Sequence, residues 1–236
     1  MNEDEWLGLS RGEFLSAWYR NEYAHNAYSG ATGKVQRAMH SSLERGYTAH
    51  TRFNRVLEVG GNRGEHLAFV KHQFDEYVLT DIADQLSDDE KDHLSERSVR
   101  FEVVNVEKMP FEDASFARVV NTCVLHHLTD PEVALFEIRR VLEPQGTADI
   151  FLSSDPGLAF RLARTLGPVR TAQKSGLGEV KRLVDARDHI NHVGGLIRLV
   201  KHVFRDDLVI ERAYPIPLVG WNMSLWHTFR IKKNDG

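Results

Sequence analysis

The chain has 236 residues, of which 42% are hydrophobic, enough for one α/β domain of ordinary size with added helices. Its 30 basic and 34 acidic residues give a net charge of −4, so we expect no nucleic-acid partner. A single cysteine, Cys123, excludes an internal disulfide framework and a cysteine-rich zinc site. The acidic start MNEDEW differs from a signal peptide, and no apolar run approaches the ~20 residues of a membrane span. We therefore expect a cytoplasmic protein with no membrane partner.

Residues 1–54 are rich in aromatic residues and histidine and lack the alternation of a strand. Ser10 can cap one helix, and a second helix with one apolar side follows a glycine-containing turn. This pattern predicts a helical lid ahead of the sheet. Most of its aromatic residues are expected to pack the helices, but His25 and Tyr28, near a Ser-Gly break, are candidates for substrate contacts.

The sequence RVLEVGGNRGEH, residues 55–66, is typical of a buried strand that ends in a glycine turn. Gly60 and Gly61 tolerate positive φ and allow a backbone to approach a ligand closely. The apolar spacing that follows predicts an amphipathic helix over Glu65–Phe74. Strand, glycine turn and helix together predict the first unit of a nucleotide-binding α/β domain.

Polar residues follow the next two predicted strands. Tyr77–Thr80 forms a second strand that ends at Asp81, and an acidic residue about 20 positions past the glycine turn can bind a ribose diol. A third strand, Phe101–Val104, leads to Asn105, whose side chain can meet the edge of a base. These positions make Asp81 the ribose candidate and Asn105 the base candidate.

The rest of the chain alternates predicted strands and helices and closes with a pair of strands. Such alternation predicts a mostly parallel sheet with one antiparallel member. The segment 158–204 is largely helical with glycine and proline breaks, so it can cover one edge of the sheet. The remaining predicted elements are strands at Phe116–Asn121, Thr147–Ser153, Leu208–Ala213 and Leu225–Lys232, and a helix capped by Asp130 with Pro131 at its first position.

In this order the motifs resemble the class I S-adenosylmethionine-dependent methyltransferases of the small-molecule branch. The resemblance covers about residues 55–157, in the blocks VLEVGGNRGEH, VLTDI, NVEKMPFEDASFARVVNTCVLHHLTDP and EIRRVLEPQGTADIFLSSDPG. It implies a Rossmann-like, doubly wound α/β fold with a mostly parallel seven-stranded sheet and an antiparallel C-terminal strand. It also implies a lid over residues 1–54, a methyltransferase domain over 55–236 and a helical insertion over 158–204 on the acceptor side.

The same resemblance implies a cofactor, a reaction and a set of site residues. The cofactor is S-adenosylmethionine, and the methyl group goes to oxygen or nitrogen of a small molecule in a biosynthetic or tailoring pathway. Glu58 supports the methionine ammonium group, Asp81 binds the ribose, and Asn105 with Val106 recognises adenine. The further implied cofactor contacts are Gly60, Gly61, Gly64, Ile82 and Thr122.

Two positions depart from the family pattern. Asn62 stands where glycine is usual, and because asparagine tolerates the left-handed conformation we expect the turn to survive. Asn105 stands where an acid is usual, and its amide oxygen can still accept a hydrogen bond from an amino group.

Transfer from a sulfonium depends mainly on holding the acceptor in line, but a hydroxyl or a protonated amine needs a base. Histidine has a suitable pKa, and His126, His127 and His189 are the candidates. Asp188 can orient the adjacent His189, which can share a helix face with His192, a candidate acceptor contact. Two histidines and nearby acids suffice for a weak metal site, but because a third ligand is not defined, the sequence leaves such a site open and predicts none.

Two other functions stay open at this point. A nicotinamide-dependent oxidoreductase shares the glycine turn, and a non-catalytic S-adenosylmethionine-binding protein shares the sheet. Methyltransferases that act on adenine N6 or cytosine N4 carry Asn or Asp followed by Pro-Pro-aromatic after the fourth strand. Here Asn121 is followed by Thr122 and Cys123, so this signature is absent. The expected partner is a small-molecule methyl acceptor, and a homodimer is left open.

Overall fold

The structure, a computed structural model, describes residues 3–21, 30–174, 176–217 and 219–235. A seven-stranded sheet forms its centre, with the strand order β3-β2-β1-β4-β5-β7-β6. Neighbouring strands from β3 to β5 pair in parallel, and β7 runs antiparallel to both β5 and β6. This arrangement confirms the predicted fold class. The strands are β1 (Arg52–Val59), β2 (Gln73–Asp81), β3 (Val99–Val103), β4 (Phe116–Thr122), β5 (Leu142–Ser153), β6 (Leu208–Tyr214) and β7 (Trp226–Lys232).

Helices precede, link and follow these strands. Between β5 and β6 the chain is largely helical, as predicted for the segment 158–204, and includes a π-helical turn at Thr165–Val169. Within the described ranges, no helix has the length and apolar character needed to cross a membrane. The helices are α1 (Glu3–Leu7), α2 (Arg11–Asn21), α3 (Gly30–Leu43), α4 (Asp88–Ser95), α5 (Pro131–Val141), α6 (Leu158–Arg164), α7 (Arg170–Lys174), α8 (Gly178–Asp188) and α9 (Val193–Val203).

The strand order reverses between β1 and β4, and both of these strands are buried. Leu57 and Val59 face one apolar core, while Val56, which precedes Leu57, faces the other. Because β1 lies between β2 and β4, the carboxyl ends of the three strands meet at one edge of the sheet. In open α/β sheets a ligand binds at such a switch point.

The end of α3 is fixed to the sheet by buried charges. Arg118 of β4 donates to Glu44 Oε1 over 2.6 Å and to Asp149 Oδ2 over 2.9 Å, and its side chain is fully buried. On the other side of Asp149, Arg230 donates to the second carboxylate oxygen over 2.7 Å. The residues that follow α3 therefore belong to the core of the sheet domain. The assignment of residues 1–54 as a lid stays a prediction.

The N-terminal helices contact the helical insertion. Trp6, Phe14 and Trp18 form a small apolar cluster with Val180 and Val184 of α8. The two aromatic pairs around Trp6 are edge-on, with ring centroids 5.5 Å and 6.1 Å apart. This contact brings the two segments predicted to cover the sheet against each other.

The predicted helix at Glu65–Phe74 is wrong. A 3-10 turn over Glu65–Ala68 takes its place, and β2 begins at Gln73, paired with Arg52 of β1. The Phe69 N–H donates to His66 O, which closes the short turn before a full α-helix can form. Phe74 belongs to the start of β2, where half-buried and exposed side chains alternate, so its spacing from the preceding apolar residues does not indicate a helix.

Candidate active site

The glycine turn after β1 has the conformation that its residues allow. Gly60 has φ 64° and Gly64 has φ 82°, and Asn62 adopts the left-handed region at φ 49°, as expected from its side chain. A Cβ on Gly60 would lie 1.9 Å from Val124 Cγ2, and no side chain fits in that space. The turn therefore needs glycine at this position for both its φ and its packing against the loop after β4.

Asp81 is held at the end of β2 by two backbone groups. Its Oδ2 accepts from the Asn62 N–H over 3.0 Å, and its Oδ1 accepts from the Ala83 N–H over 3.2 Å. The first bond ties the carboxylate directly to the glycine turn. The neighbouring Ile82 is 67% exposed, so an apolar surface lies beside the carboxylate.

Glu58 is a fully buried carboxylate at the end of β1. Tyr77 Oη donates to its Oε2 over 2.6 Å, whereas Oε1 has no hydrogen-bond partner among the described residues. Burial raises the pKa of Glu58 to about 7, against the opposing effects of His66 and Tyr77. Glu58 lines a cavity of about 60 Å³ together with Gly60, Gly61 and Thr122. A buried carboxylate oxygen without a partner, beside a cavity, fits a cationic group.

Asn105 lies just after β3, next to the end of β2. The Val104 N–H donates to Asp81 O over 2.8 Å, which joins the two strand ends. Asn105 Oδ1 accepts from the Glu107 N–H over 2.9 Å, so the turn already uses one of its lone pairs. The other lone pair and the amide group are left for a ligand.

A single cavity of about 1110 Å³ runs past these strand ends. Its lining includes residues of the sheet edge and residues of the covering helices, so the predicted cofactor region and the predicted acceptor region share one space. From the sheet edge it is lined by Gly60, Asp81, Ile82, Asn105, Val106 and Thr122. From the covering helices it is lined by Trp18, Tyr19, Met39, Phe160, Val184 and Asp188.

His126 lies beneath this cavity and does not line it. Its Nδ1 lies 2.9 Å from Asn191 O, and its Nε2 lies 3.1 Å from Ser153 Oγ. Burial and the neighbouring His189 lower the pKa of His126 to about 3. With both ring nitrogens engaged, His126 joins β4, β5 and the loop before α9.

His127 lines the cavity and pairs with Asp188. The two side chains approach to 3.1 Å, and Tyr19 Oη donates to the other carboxylate oxygen of Asp188 over 2.6 Å. Burial opposes the charged form of the imidazole, but the contacts with Asp188 and Cys123 raise the pKa of His127 to about 10. His127 therefore carries a proton near neutral pH and acts as a donor in this arrangement.

His189 also lines the cavity, but Asp188 does not orient it as predicted. Its Nδ1 lies 2.8 Å from Asp155 Oδ2, which Arg164 contacts over 2.9 Å. His189 follows the last turn of α8, whereas His192 precedes α9, because the chain turns between the helices. The prediction of a shared helix face is therefore wrong. His192 lines a separate cavity of about 440 Å³ with His189 and does not reach the large one.

Two predicted substrate contacts remain to be placed, and the site also contains residues that were not predicted from the sequence. His25 and Tyr28 lie outside the described residues. Cys123 lines the large cavity and has φ 65°. The spacing of four residues between Cys123 and His127, directly after a strand, was the available signal for this pair. Tyr19 gave no comparable signal.

Comparison with known proteins identifies the central part of the chain. Residues 57–150 match the family model described as a methyltransferase domain. The ubiquinone/menaquinone biosynthesis C-methyltransferase UbiE of Ectopseudomonas mendocina is 33% identical over 111 residues, which are 44% of this chain and 43% of that protein. This chain therefore matches less than half the length of that curated relative.

Solved structures extend the likeness in fold to nearly the whole chain. The N-methyltransferase NodS from Bradyrhizobium japonicum WM9, solved with S-adenosyl-L-homocysteine, has a TM-score of 0.60 at 12% identity and covers 95% of this chain and 99% of its own. The CurJ carbon methyltransferase has a TM-score of 0.63 at 13% identity, covering 96% of this chain and 62% of its own. These likenesses in fold agree with the strand order, and residues 57–150 form a methyltransferase domain.

Proposed function

We propose that this chain transfers a methyl group from S-adenosylmethionine to an oxygen or nitrogen atom of a small molecule. The observation that carries the proposal is the placement of Glu58, Asp81 and Asn105 at the ends of three adjacent parallel strands, with one oxygen of Glu58 buried beside a cavity and lacking a partner in the described chain.

The residues at the strand ends suit the parts of this cofactor. Glu58 suits the α-ammonium group, because a buried carboxylate gains most from a cationic partner. Asp81 suits the ribose hydroxyls, and Asn105 suits the adenine edge beside the exposed apolar surface of Ile82. A Cβ on Gly61 would lie 2.2 Å from Leu79 Cδ1, so a larger residue there would disturb the floor of the turn. When bound, S-adenosylmethionine supplies an electrophilic methyl group.

The covering helices shape the acceptor side of the cavity. Trp18, Met39, Phe160 and Val184 give it an apolar wall, which excludes water and favours an acceptor with a substantial apolar part. Asp188 adds a carboxylate that can accept a hydrogen bond from a hydroxyl or amine. This combination supports an acceptor with a polar reactive group on an apolar body, and so an oxygen or nitrogen atom as the site of methylation.

Isothermal titration of the full chain with S-adenosylmethionine and S-adenosylhomocysteine tests the cofactor part of the proposal. We expect saturable binding of both, and no binding of a nicotinamide dinucleotide. A panel of phenols, amines and activated carbon acids, incubated with methyl-labelled cofactor, tests the acceptor part. Transfer only to carbon would contradict oxygen or nitrogen as acceptor, and cofactor binding without any transfer would favour a non-catalytic binding protein.

A further inference from the structure

Three metal-ligating side chains meet on the wall of the large cavity. Cys123, His127 and His189 each offer one ligand atom, and these atoms all lie within 4.8 Å of one another. All three residues line the same cavity and are partly exposed. They come from two distant parts of the chain, because Cys123 and His127 follow β4 while His189 follows α8.

A carboxylate fixes the orientation of each imidazole in this cluster. Asp188 Oδ1 lies 3.1 Å from Nδ1 of His127, and Asp155 Oδ2 lies 2.8 Å from Nδ1 of His189. Nε2 of each ring is then the nitrogen left for a metal. A metal-bound histidine usually donates its other ring N–H to a carboxylate or carbonyl, so this pattern is the one a metal site requires.

The two carboxylates are themselves held in place. Tyr19 Oη donates to Asp188 Oδ2 over 2.6 Å, and Arg164 contacts Asp155 Oδ2 over 2.9 Å. Each of the two imidazoles is therefore supported by a chain of hydrogen bonds that begins on a helix of the covering layer, at Tyr19 of α2 or Arg164 of α6. Such support keeps an imidazole in one orientation and tautomer before any ion binds.

From this geometry we infer that Cys123, His127 and His189 bind one Zn²⁺ ion, with the fourth coordination position open to the cavity. One thiolate and two imidazoles form a donor set that zinc favours, and three protein ligands with an open position are typical of a catalytic zinc site. Ligand atoms within 4.8 Å of one another can reach zinc–ligand bonds of about 2.0–2.3 Å with at most small side-chain rotations. Binding displaces the thiol proton and the Nε2 proton of the His127 ring, while the Nδ1–H of each imidazole stays with its carboxylate.

The open position suits an anionic oxygen atom. A hydroxyl group bound there would release its proton to water and keep the electron pair that attacks the methyl carbon, while the sulfonium–methyl bond breaks and S-adenosylhomocysteine leaves. This role for the metal rests on the proposed methyl transfer, whereas metal binding by the three residues does not.

Cobalt substitution in the full chain tests the metal site without any methyl donor. The chain is freed of metal with a chelator, dialysed and titrated with Co²⁺. We expect one equivalent to bind, with a thiolate-to-cobalt absorption band in the near ultraviolet and strong visible bands of a tetrahedral ion, and Zn²⁺ to abolish both. Absence of the thiolate band, or weak binding of several ions, would overturn the inference.

Variants identify the ligands in the same titration. Cys123→Ser should remove the thiolate band, and Asp188→Asn, which changes the support of His127, should lower zinc affinity about 10- to 100-fold. His93→Gln is the matched control, because the His93 side chain is 71% exposed on α4 and lies outside the cavity. An unchanged band in Cys123→Ser would contradict the assignment. Because the wild-type spectrum is independent of the variants, a variant that fails to fold does not decide the outcome.

Titration of the metal-free chain with S-adenosylhomocysteine separates this inference from the proposed function. Cofactor binding without a cobalt band would leave the methyltransferase proposal intact and remove the metal. A cobalt band without cofactor binding would support the metal site and contradict the methyltransferase proposal.

Discussion

Tyr77 and Glu58 lie on neighbouring strands, and the Tyr77 hydroxyl donates to Glu58 Oε2 over 2.6 Å. This bond satisfies one oxygen of a fully buried carboxylate and leaves the other facing the small cavity beside the glycine turn. The carboxylate is therefore poorly solvated, and a cation that enters the cavity would add to the stabilisation of its charge by Tyr77 and His66. The pair links the packing of the sheet to the proposed binding of the cofactor.

Cofactor affinity should depend on pH through Glu58. In the ligand-free chain the pKa of this carboxyl is about 7, so it is mostly protonated at pH 6 and mostly ionised at pH 8. Because the ammonium group needs the ionised form, affinity should rise about tenfold over this range. Titration calorimetry at both values measures the change. A Glu58→Gln variant should bind weakly and without this dependence, and equal pH dependence in the two chains would contradict the assignment.

Tyr77→Phe should move the midpoint of this pH dependence to higher pH. The variant loses the hydrogen bond that favours the ionised carboxylate, so the pKa of Glu58 rises further. In wild type the pKa of Glu58 is already raised from 4.5 to about 7, so the ligand-free chain should lose stability as the pH rises from about 4.5 to about 7, because in this range the folded state still binds a proton that the unfolded state has released. Thermal unfolding of wild type between pH 5 and pH 8 checks the sign.

Gly60→Ala should disrupt the turn. A Cβ there would lie 1.9 Å from Val124 Cγ2, and φ 64° adds backbone strain, so we expect a loss of about 1–3 kcal/mol in the free energy of unfolding and weaker cofactor binding. Adding Val124→Ala should recover part of the stability by removing the clash. Gly195→Ala is the control, because its Cβ meets nothing within 4 Å in α9, and it should keep or slightly raise stability. Denaturant unfolding of the four chains compares them, and a Gly60→Ala chain as stable as the control would refute this description of the turn.

Arg118 should be among the most sensitive positions for folding. Its guanidinium is fully buried between Glu44 and Asp149, so Arg118→Met removes the buried cation that these two carboxylates share and should cost about 3–5 kcal/mol, although Arg230 still contacts Asp149. Arg52→Met provides the comparison, because the Arg52 side chain is 55% exposed in its pair with Asp75, and the loss there should be below about 1 kcal/mol. Urea unfolding gives both values. Equal losses would mean that burial does not determine how much the Arg118 ion pairs contribute to the free energy of unfolding.

Local sequence patterns predicted most of the fold and part of the candidate site. Asp81 was predicted from its distance along the chain from the glycine turn, and Asn105 from its position after the third strand. Both line one cavity, because neighbouring parallel strands end at the same edge of the sheet. Asp130 and Pro131 marked the start of α5, where Asp130 Oδ1 accepts from the Val133 N–H over 3.1 Å. Signals of this kind depend on neighbours within a few residues or on strand order.

The side-chain pairings on the acceptor side could not be read from spacing. His189 pairs with Asp155, 34 positions earlier, and not with the adjacent Asp188, which pairs with His127. These pairs join the helical insertion to the loops that follow β4 and β5. The same packing places Cys123 beside the two histidines, and adjacency in the sequence points to different partners.

Binding of S-adenosylhomocysteine to Asp81→Ala and Asp89→Ala, measured by titration calorimetry, tests the central assignment most directly. Asp81 is fixed by the Asn62 and Ala83 N–H groups at the cavity wall, while Asp89 is an exposed acid in the first turn of α4. We predict that Asp89→Ala binds as wild type does and that Asp81→Ala, still folded by circular dichroism, loses at least about tenfold in affinity. Wild-type affinity in a folded Asp81→Ala chain would contradict a cofactor site at the ends of β1, β2 and β3.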